Sequence, residues 1–283
     1  MRLRNLLFAP GDSARKIEKA LASGADGVIL DLEDSVAPPA KPEARETVAR
    51  VLRDGVPDAC VIVRVNPVGT EWYLHDVAAV VAGSPAAVLL PKCESVAHLV
   101  RLDHHLEALE TQAGLAAGAV KVLALVTETA ASLGRMDYTG APARLIGLCF
   151  GAEDLSADLG IAPRREGTYA APVAAARAAT LLAAAAAGVA AIDTPWPDPR
   201  DPAGLAAEAA QAAADGFAGK LCIHPAQLDA VARAFTPSPT QVRWAEQVRD
   251  GFAANPGAGV FALEGKMIDR PHLKLAERIL ASF

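Results

Sequence analysis

Eight short apolar runs constrain this chain more than any other feature. They are NLLFA (5–9), GVILDL (27–32), CVIVRV (60–65), AAVLLP (86–91), KVLALV (121–126), RLIGLCF (144–150), VAAID (189–193) and GKLCI (219–223). Each has the length of a strand, is rich in Val, Ile and Leu, and does not alternate with polar residues. A strand that is apolar on both faces must be covered on both, as in a parallel sheet flanked by helices. Helix-like segments separate the runs. DSARKIEKALASGA offers a Ser or Asp cap, then Ile17, Ala20 and Leu21 on one face, then Gly24 as a stop. KPEARETVARVLRDG and SVAHLVRLDHHLEALE follow the same grammar. Eight strands alternating with helices predict an α/β fold, a (β/α)8 TIM barrel over residues 1–235. An open doubly wound sheet is the rival. It would more often carry a Gly-rich phosphate turn after its first strand, and PGDSAR is not G-x-G-x-x-G. Residues 236–283 read as a C-terminal extension: the TPSPT turn, a helix near 240–254, the Gly-rich NPGAGVFALEGKMIDRP and a final helix. This helical and hairpin tail is too small to stand alone and is expected to pack on the barrel or on a neighbouring subunit.

Composition narrows the function classes. The 283 residues carry a net charge of −6 with no long basic run, which argues against nucleic acid as the main partner. Cys60, Cys93, Cys149 and Cys222 form no C-x-x-C pair, so a reducing compartment is expected, with no disulfide framework and no zinc site. The segment 170–191 is long enough to span a bilayer, but it is mostly Ala and contains Pro172 and Arg177, so it reads as a core-packed helix. MRLRNLLFAPGD lacks a signal-peptide apolar region and cleavage site. The expected location is the cytoplasm, with no membrane partner.

In a barrel, the C-terminal ends of all strands converge on one face, where chemistry sits. The residues ending the eight runs are Asp12; Asp31, Glu33 and Asp34; Arg64 and Asn66; Lys92; Thr127, Glu128 and Thr129; Gly151, Ala152, Glu153 and Asp154; Asp193; and His224. Any one Asp here is commonly a helix cap. Arg64, inside CVIVRV, must be paired if it is buried. Carboxylates that converge repel one another unless a cation sits among them. The cysteines are dispersed and no two histidines have metal spacing, so oxygen ligation by a hard ion is indicated, with Mg2+ the best fit. Glu128 and the Glu153/Asp154 pair end neighbouring strands and lie close enough to share it.

The stretches LLFAPGDSARKIEKALASGADGVILDLEDSVAPPAK, VRVNP, VTETA, FGAEDLSADLG and GKLCIHPAQ resemble the citrate lyase beta-subunit-like enzymes of the HpcH/HpaI aldolase superfamily over nearly the whole chain. The resemblance implies a TIM barrel, usually trimeric, that reversibly cleaves a carbon–carbon bond of 3-hydroxyacyl thioesters. Citryl, citramalyl or malyl groups on coenzyme A or an acyl carrier protein are the implied substrates, with a 2-oxo acid such as oxaloacetate as one product. It implies Glu128 and Asp154 as Mg2+ ligands, Arg64 as the substrate arginine, and Glu33 and Asp34 as acids supporting the site. It also implies Asp269, in GKMIDRP, as an acid/base serving its own or a neighbouring subunit's site.

Those residue types suit the reaction. Arg64 can stabilise an oxyanion by a charge-assisted hydrogen bond. Backbone N–H groups of the turn Gly151, Ala152, Glu153 can hold a carboxylate where a helix opens. Asp269 is the candidate general acid. The coenzyme A diphosphate needs positive charge, which Arg15, Lys16 or Lys19 could supply, although an ordinary solvated helix face fits them equally. A Schiff base on Lys92 is made unnecessary by the metal apparatus. Two alternatives stand. A metal-dependent pyruvate–aldehyde aldolase normally has a His in the early acidic motif, and LDLEDSV has none. A beta subunit could act only with an acyl carrier partner.

Overall fold

The computed structural model of the protein describes residues 1–56, 59–165 and 167–281. Its chain order is β1 (Asn5–Pro10), α1 (Ala14–Leu21), β2 (Gly27–Asp31), α2 (Lys41–Asp54), β3 (Val61–Arg64), α3 (Tyr73–Val81), β4 (Ala87–Leu90), α4 (Val96–Ala113), β5 (Lys121–Leu125), α5 (Ala130–Leu133) and β6 (Leu145–Cys149). There follow α6 (Ala152–Leu159), a short ribbon of β7 (Arg164–Arg165) and β8 (Thr168–Tyr169), α7 (Ala171–Ala187), β9 (Ala190–Asp193), α8 (Pro202–Asp215), β10 (Gly219–Cys222) and α9 (Leu228–Ala234). The last elements are α10 (Pro239–Ala254), the hairpin β11 (Val260–Leu263) and β12 (Lys266–Asp269), and α11 (Arg270–Ala281). Strands β1 to β6, β9 and β10 close a parallel barrel in the ring order β1-β10-β9-β6-β5-β4-β3-β2. These are the eight apolar runs. The closed ring decides for the TIM barrel over the open sheet.

Two apolar layers explain why the runs do not alternate. Leu6, Ile29, Ile62, Leu89, Leu123, Leu125, Cys149, Ile192 and Leu221 form one cluster with residues from every barrel strand, the filled lumen. Their strand neighbours, such as Leu7, Val28, Val63, Val88 and Leu148, pack outward with the helices in a second cluster. Side chains alternate along a strand, so both faces must be hydrocarbon. The first helix is shorter than its pattern suggested, ending at Leu21 with Ala22 as cap, and Ser13 makes no side-chain cap bond. The Ala-rich segment forms α7, with Val173, Ala176, Thr180, Ala183 and Ala184 buried. Among the described residues no helix is long and apolar enough to cross a membrane.

Beyond α9, the chain builds a small core of its own from Ala245, Val248, Phe252, Ile268 and Ala276. Phe252 and Phe261 meet edge to face with centroids 5.1 Å apart. At the N-terminal end of β6, Arg144 is 6% exposed and donates to Glu110 at 2.8 and 3.1 Å, to Asp103 at 2.5 Å and to the carbonyl of Val120 at 2.9 Å. Glu110 also accepts from the backbone N–H groups of Gly118 and Val120. Replacing Arg144 with Met would leave the Glu110 carboxylate buried without its counter-charge. The expected loss is about 3–5 kcal/mol of folding free energy, read as a lower denaturant midpoint at unchanged slope.

Candidate active site

Strand parity aims three side chains into the top of the barrel. Phe8 lies two residues after Leu6, Asp31 two after Ile29 and Arg64 two after Ile62, all lumen positions. Asp31 and Arg64 are also register partners on β2 and β3. Arg64 Nε and Nη2 each donate to one Asp31 oxygen at 2.7 Å, a two-pronged pair. The guanidinium rests 4.8 Å above the Phe8 ring. Its Nη1 lies 3.0 Å from Glu33 Oε2 and 3.7 Å from Asp34 Oδ2. Burial works against its charge, but the bond to Asp31 more than compensates, and its pKa is raised.

The acidic loop after β2 is braced from behind. Lys41, on α2, is buried and donates to the carbonyls of Leu32 at 2.9 Å and Glu33 at 2.7 Å, and to Asn66 Oδ1 at 2.7 Å. Asn66 donates to Asp76 Oδ2 at 2.6 Å, and Asp76 pairs with Arg45 at 2.8 Å. The loop backbone that carries Glu33 is thereby tied to the end of β3.

Lys92 closes the other side of the mouth. Its φ of +48° is left-handed, an unusual conformation for a residue other than glycine. In this conformation its backbone N–H donates to Glu128 Oε2 at 2.5 Å. Its ammonium bonds Glu33 and lies 3.5 Å from Asp34 Oδ2 and 3.9 Å from Asp154 Oδ1. Gly151 makes room for Glu128, since a Cβ there would stand 2.8 Å from Glu128 Cγ. Threonine hydroxyls fix the turn into α6: Gly151 N–H donates to Thr127 Oγ1 at 2.9 Å, and Ala152 N–H to Thr194 Oγ1 at 3.2 Å.

Arg64, Glu33, Asp34, Glu128 and Asp154 therefore share one mouth. Glu153, though adjacent to Asp154, turns its carboxylate to Arg164 Nη1 at 3.4 Å. Arg15, Lys16 and Lys19 lie exposed on α1. Asp269 ends β12, with His272 Nδ1 2.5 Å from its Oδ1, and makes no hydrogen bond or ion pair with the mouth residues among the described residues. Sequence reasoning placed Asp31 at the mouth without a role, had Lys92 face the mouth or pair with an acid, as it does with Glu33, and missed Phe8 and Lys41. Strand parity would have found Phe8. Nothing in the sequence marks the backbone of Lys92.

The donor set suits a hard cation. Glu128 is buried, and its pKa rises to about 8 because of burial, then the nearby charges of Glu33 and Asp154. Glu33 is 3% exposed and rises to about 7, chiefly through burial, while the Arg64 charge opposes the shift and Asp34 adds to it. Glu33 Oε2 is buried and has the Arg64 guanidinium 3.0 Å away as an ion-pair partner, but no hydrogen bond of good geometry. Crowded, under-satisfied carboxylate oxygens are what a divalent ion relieves. Among the described residues no three His, Cys, Asp or Glu side chains form a ligand cluster by themselves. A pair of carboxylates such as Glu128 and Asp154 would suit an ion that keeps positions for water and substrate.

The chain is similar to known proteins over nearly its whole length. The model of the HpcH/HpaI aldolase/citrate lyase family matches residues 4–225. Citrate lyase subunit beta of Escherichia coli is 34% identical over 281 residues, covering 98% of this chain and 92% of that protein. The citrate lyase subunit beta-like protein of Mycobacterium tuberculosis is 39% identical over 279 residues, covering 97% and 93%. A crystal structure of CitE from Mycobacterium tuberculosis, in complex with magnesium, acetoacetate and coenzyme A, matches with a TM-score of 0.76 at 36% identity, covering 99% of this chain and 98% of that one.

The carboxyl shifts have a signed consequence. Unfolded, these glutamates release their protons near the ordinary 4.5, whereas folded they hold them to about 7 and about 8. Between those values the folded state binds more protons, so raising the pH favours unfolding. Cation-free protein is expected to melt at a lower temperature at pH 8 than at pH 5.5, and a divalent cation at pH 8 is expected to restore the loss. Melting curves in chelator and in excess cation check this; a pH response identical in the two would count against the site.

Proposed function

The chain belongs to the HpcH/HpaI aldolase/citrate lyase family, and from that premise we propose that it is a Mg2+-dependent lyase of 3-hydroxyacyl thioesters. It cleaves or forms the bond between a 2-oxo acid and an acyl thioester enolate. The carrying observation is the mouth, where an arginine pinned by a buried aspartate shares the space with the buried Glu128, itself crowded by the charges of Glu33 and Asp154. The magnesium, acetoacetate and coenzyme A bound by the Mycobacterium relative support the same reading.

Glu128 and Asp154 would hold the ion. When bound, magnesium supplies Lewis-acid polarisation and a template for the 2-oxo acid. Arg64 is aimed in advance. With Nε and Nη2 committed to Asp31, its remaining nitrogen, Nη1, which pairs with Glu33 Oε2 at 3.0 Å, is the one that would turn to the oxygen that gains charge as the carbon–carbon bond breaks. Gly151 and Ala152 donate their N–H groups to Thr127 and Thr194, so the substrate carboxylate falls to the next N–H groups of the first turn of α6, beginning with Glu153. Lys92 fixes one oxygen of Glu128 through its backbone, leaving the other for the ion. Asp269 protonates the enolate carbon from a neighbouring subunit in a homo-oligomer, a trimer by resemblance; among the described residues its side chain bonds His272 and no mouth group. Arg15, Lys16 and Lys19 are assigned to the coenzyme A diphosphate, and the extension from residue 236 to the subunit contact. The assigned location is the cytoplasm.

The word subunit in the name of the Escherichia coli relative favours a second reading, in which the thioester arrives on an acyl carrier protein. Purified chain with Mg2+ should be offered citramalyl-CoA, malyl-CoA and 4-hydroxy-2-oxo acids. Cleavage of a CoA thioester without a partner protein is expected. Cleavage of only the last substrate would make it a pyruvate–aldehyde aldolase, and inertness relieved by a carrier protein would make it a dependent subunit. Arg64→Lys is expected to lower kcat by about a hundredfold or more, because Lys cannot reproduce the two-pronged contact with Asp31.

A further inference from the structure

Glu153 and Asp154 are adjacent in sequence, but their carboxylates go to different places. Asp154 Oδ1 lies 3.9 Å from the Lys92 ammonium in the mouth. Glu153 Oε1 lies 3.4 Å from Nη1 of Arg164, on the β7–β8 ribbon. Arg164 has no freedom to follow Glu153. Its side chain is 13% exposed, and its Nε and Nη2 donate to Glu208 Oε2 at 3.2 and 2.8 Å. Nη2 also donates to the Tyr169 hydroxyl at 2.8 Å. The guanidinium is stacked 4.4 Å from the Tyr169 ring and 5.0 Å from the Trp196 ring. Glu208 is anchored in turn by the fully buried Lys220 at 2.6 Å, which also bonds Asp193 at 2.8 Å. The cation is fixed by the scaffold, and Glu153, half exposed, is the partner that moves to it.

We propose that Arg164 is a positioning residue that holds Glu153 out of the mouth, so that one carboxylate of the adjacent pair, Asp154, faces the cation and the incoming anion. The inference rests on the reaction proposed above. Glu153 stands in the first turn of α6, and release from Arg164 would leave its charge unpaired and free to turn toward the mouth. That charge attracts a divalent cation and repels a 2-oxo acid, so the two affinities move in opposite directions. Damage to the scaffold would weaken both together.

Titration calorimetry separates the cases, with Mg2+ alone as the first probe and oxalate, a stand-in for a 2-oxo acid, added to Mg2+-loaded protein as the second. Arg164→Gln is expected to bind Mg2+ about threefold tighter and oxalate about fivefold more weakly than the unmodified chain. In a Glu153→Asn background, where no charge can be released, the same change is expected to move oxalate affinity by less than about twofold. Glu153→Asp keeps the charge but is one methylene too short to reach Arg164, and it is expected to bind oxalate more weakly than Glu153→Asn. That pair leaves the packing of Arg164 intact and decides the matter if Arg164→Gln does not fold. Arg164→Gln weakening both ligands, or Glu153→Asp and Glu153→Asn binding oxalate alike, overturns the role of Arg164 alone. Unmodified protein that takes neither Mg2+ nor oxalate overturns the proposed reaction, and this inference with it.

Discussion

Like-charge repulsion at the open end of the barrel is the constraint around which the rest is arranged. Asp31, Glu33, Asp34, Glu128 and Asp154 crowd two cationic side chains, Arg64 and Lys92. In water such a group would spread apart. Here strand ends hold it together, because the residues beneath are committed to a packed lumen and cannot shift to relieve it. The scaffold supplies the free energy that keeps acids close, and the site is left with a standing demand for positive charge.

Much of the polar structure around the mouth resists that repulsion. The Asp31–Arg64 fork neutralises a buried acid at the end of β2. Lys41 and Asn66 anchor the Glu33 loop by its carbonyls, so the loop cannot swing outward when its side chains repel. Two threonine hydroxyls do the same for the turn into α6. The unusual backbone of Lys92 belongs with these devices. A residue in that conformation costs about 1 kcal/mol or more, and the return is an N–H directed at Glu128. The ionic chain from Asp193 through Lys220, Glu208 and Arg164 reaches Glu153 on α6.

The fold was legible because burial on both faces leaves a clear mark: eight unbroken apolar runs, each at a barrel strand. The convergence of Arg64, Glu33, Glu128 and Asp154 was legible because a closed parallel barrel gathers its strand ends whatever the loops do. Side-chain direction in the loops was not. The pattern of the run does not separate Glu153 from Asp154, and the partner of Glu153, Arg164, lies on a ribbon of two-residue strands too short to carry a pattern. The left-handed Lys92 was hidden for a related reason: φ there is imposed by bonds across the mouth, with no glycine to announce it. Asp31 was visible in principle, since counting by twos from Ile29 reaches it.

Phe8 beneath the Arg64 guanidinium has a consequence for how the protein meets its ligands. The ring caps a lumen filled with hydrocarbon, so field lines from the charges above it find little to polarise below and emerge through the opening. The barrel thus works as a one-sided dielectric lens. Its pull on a passing ion extends into solvent on one face only, and dissolved salt can dim it only from that side.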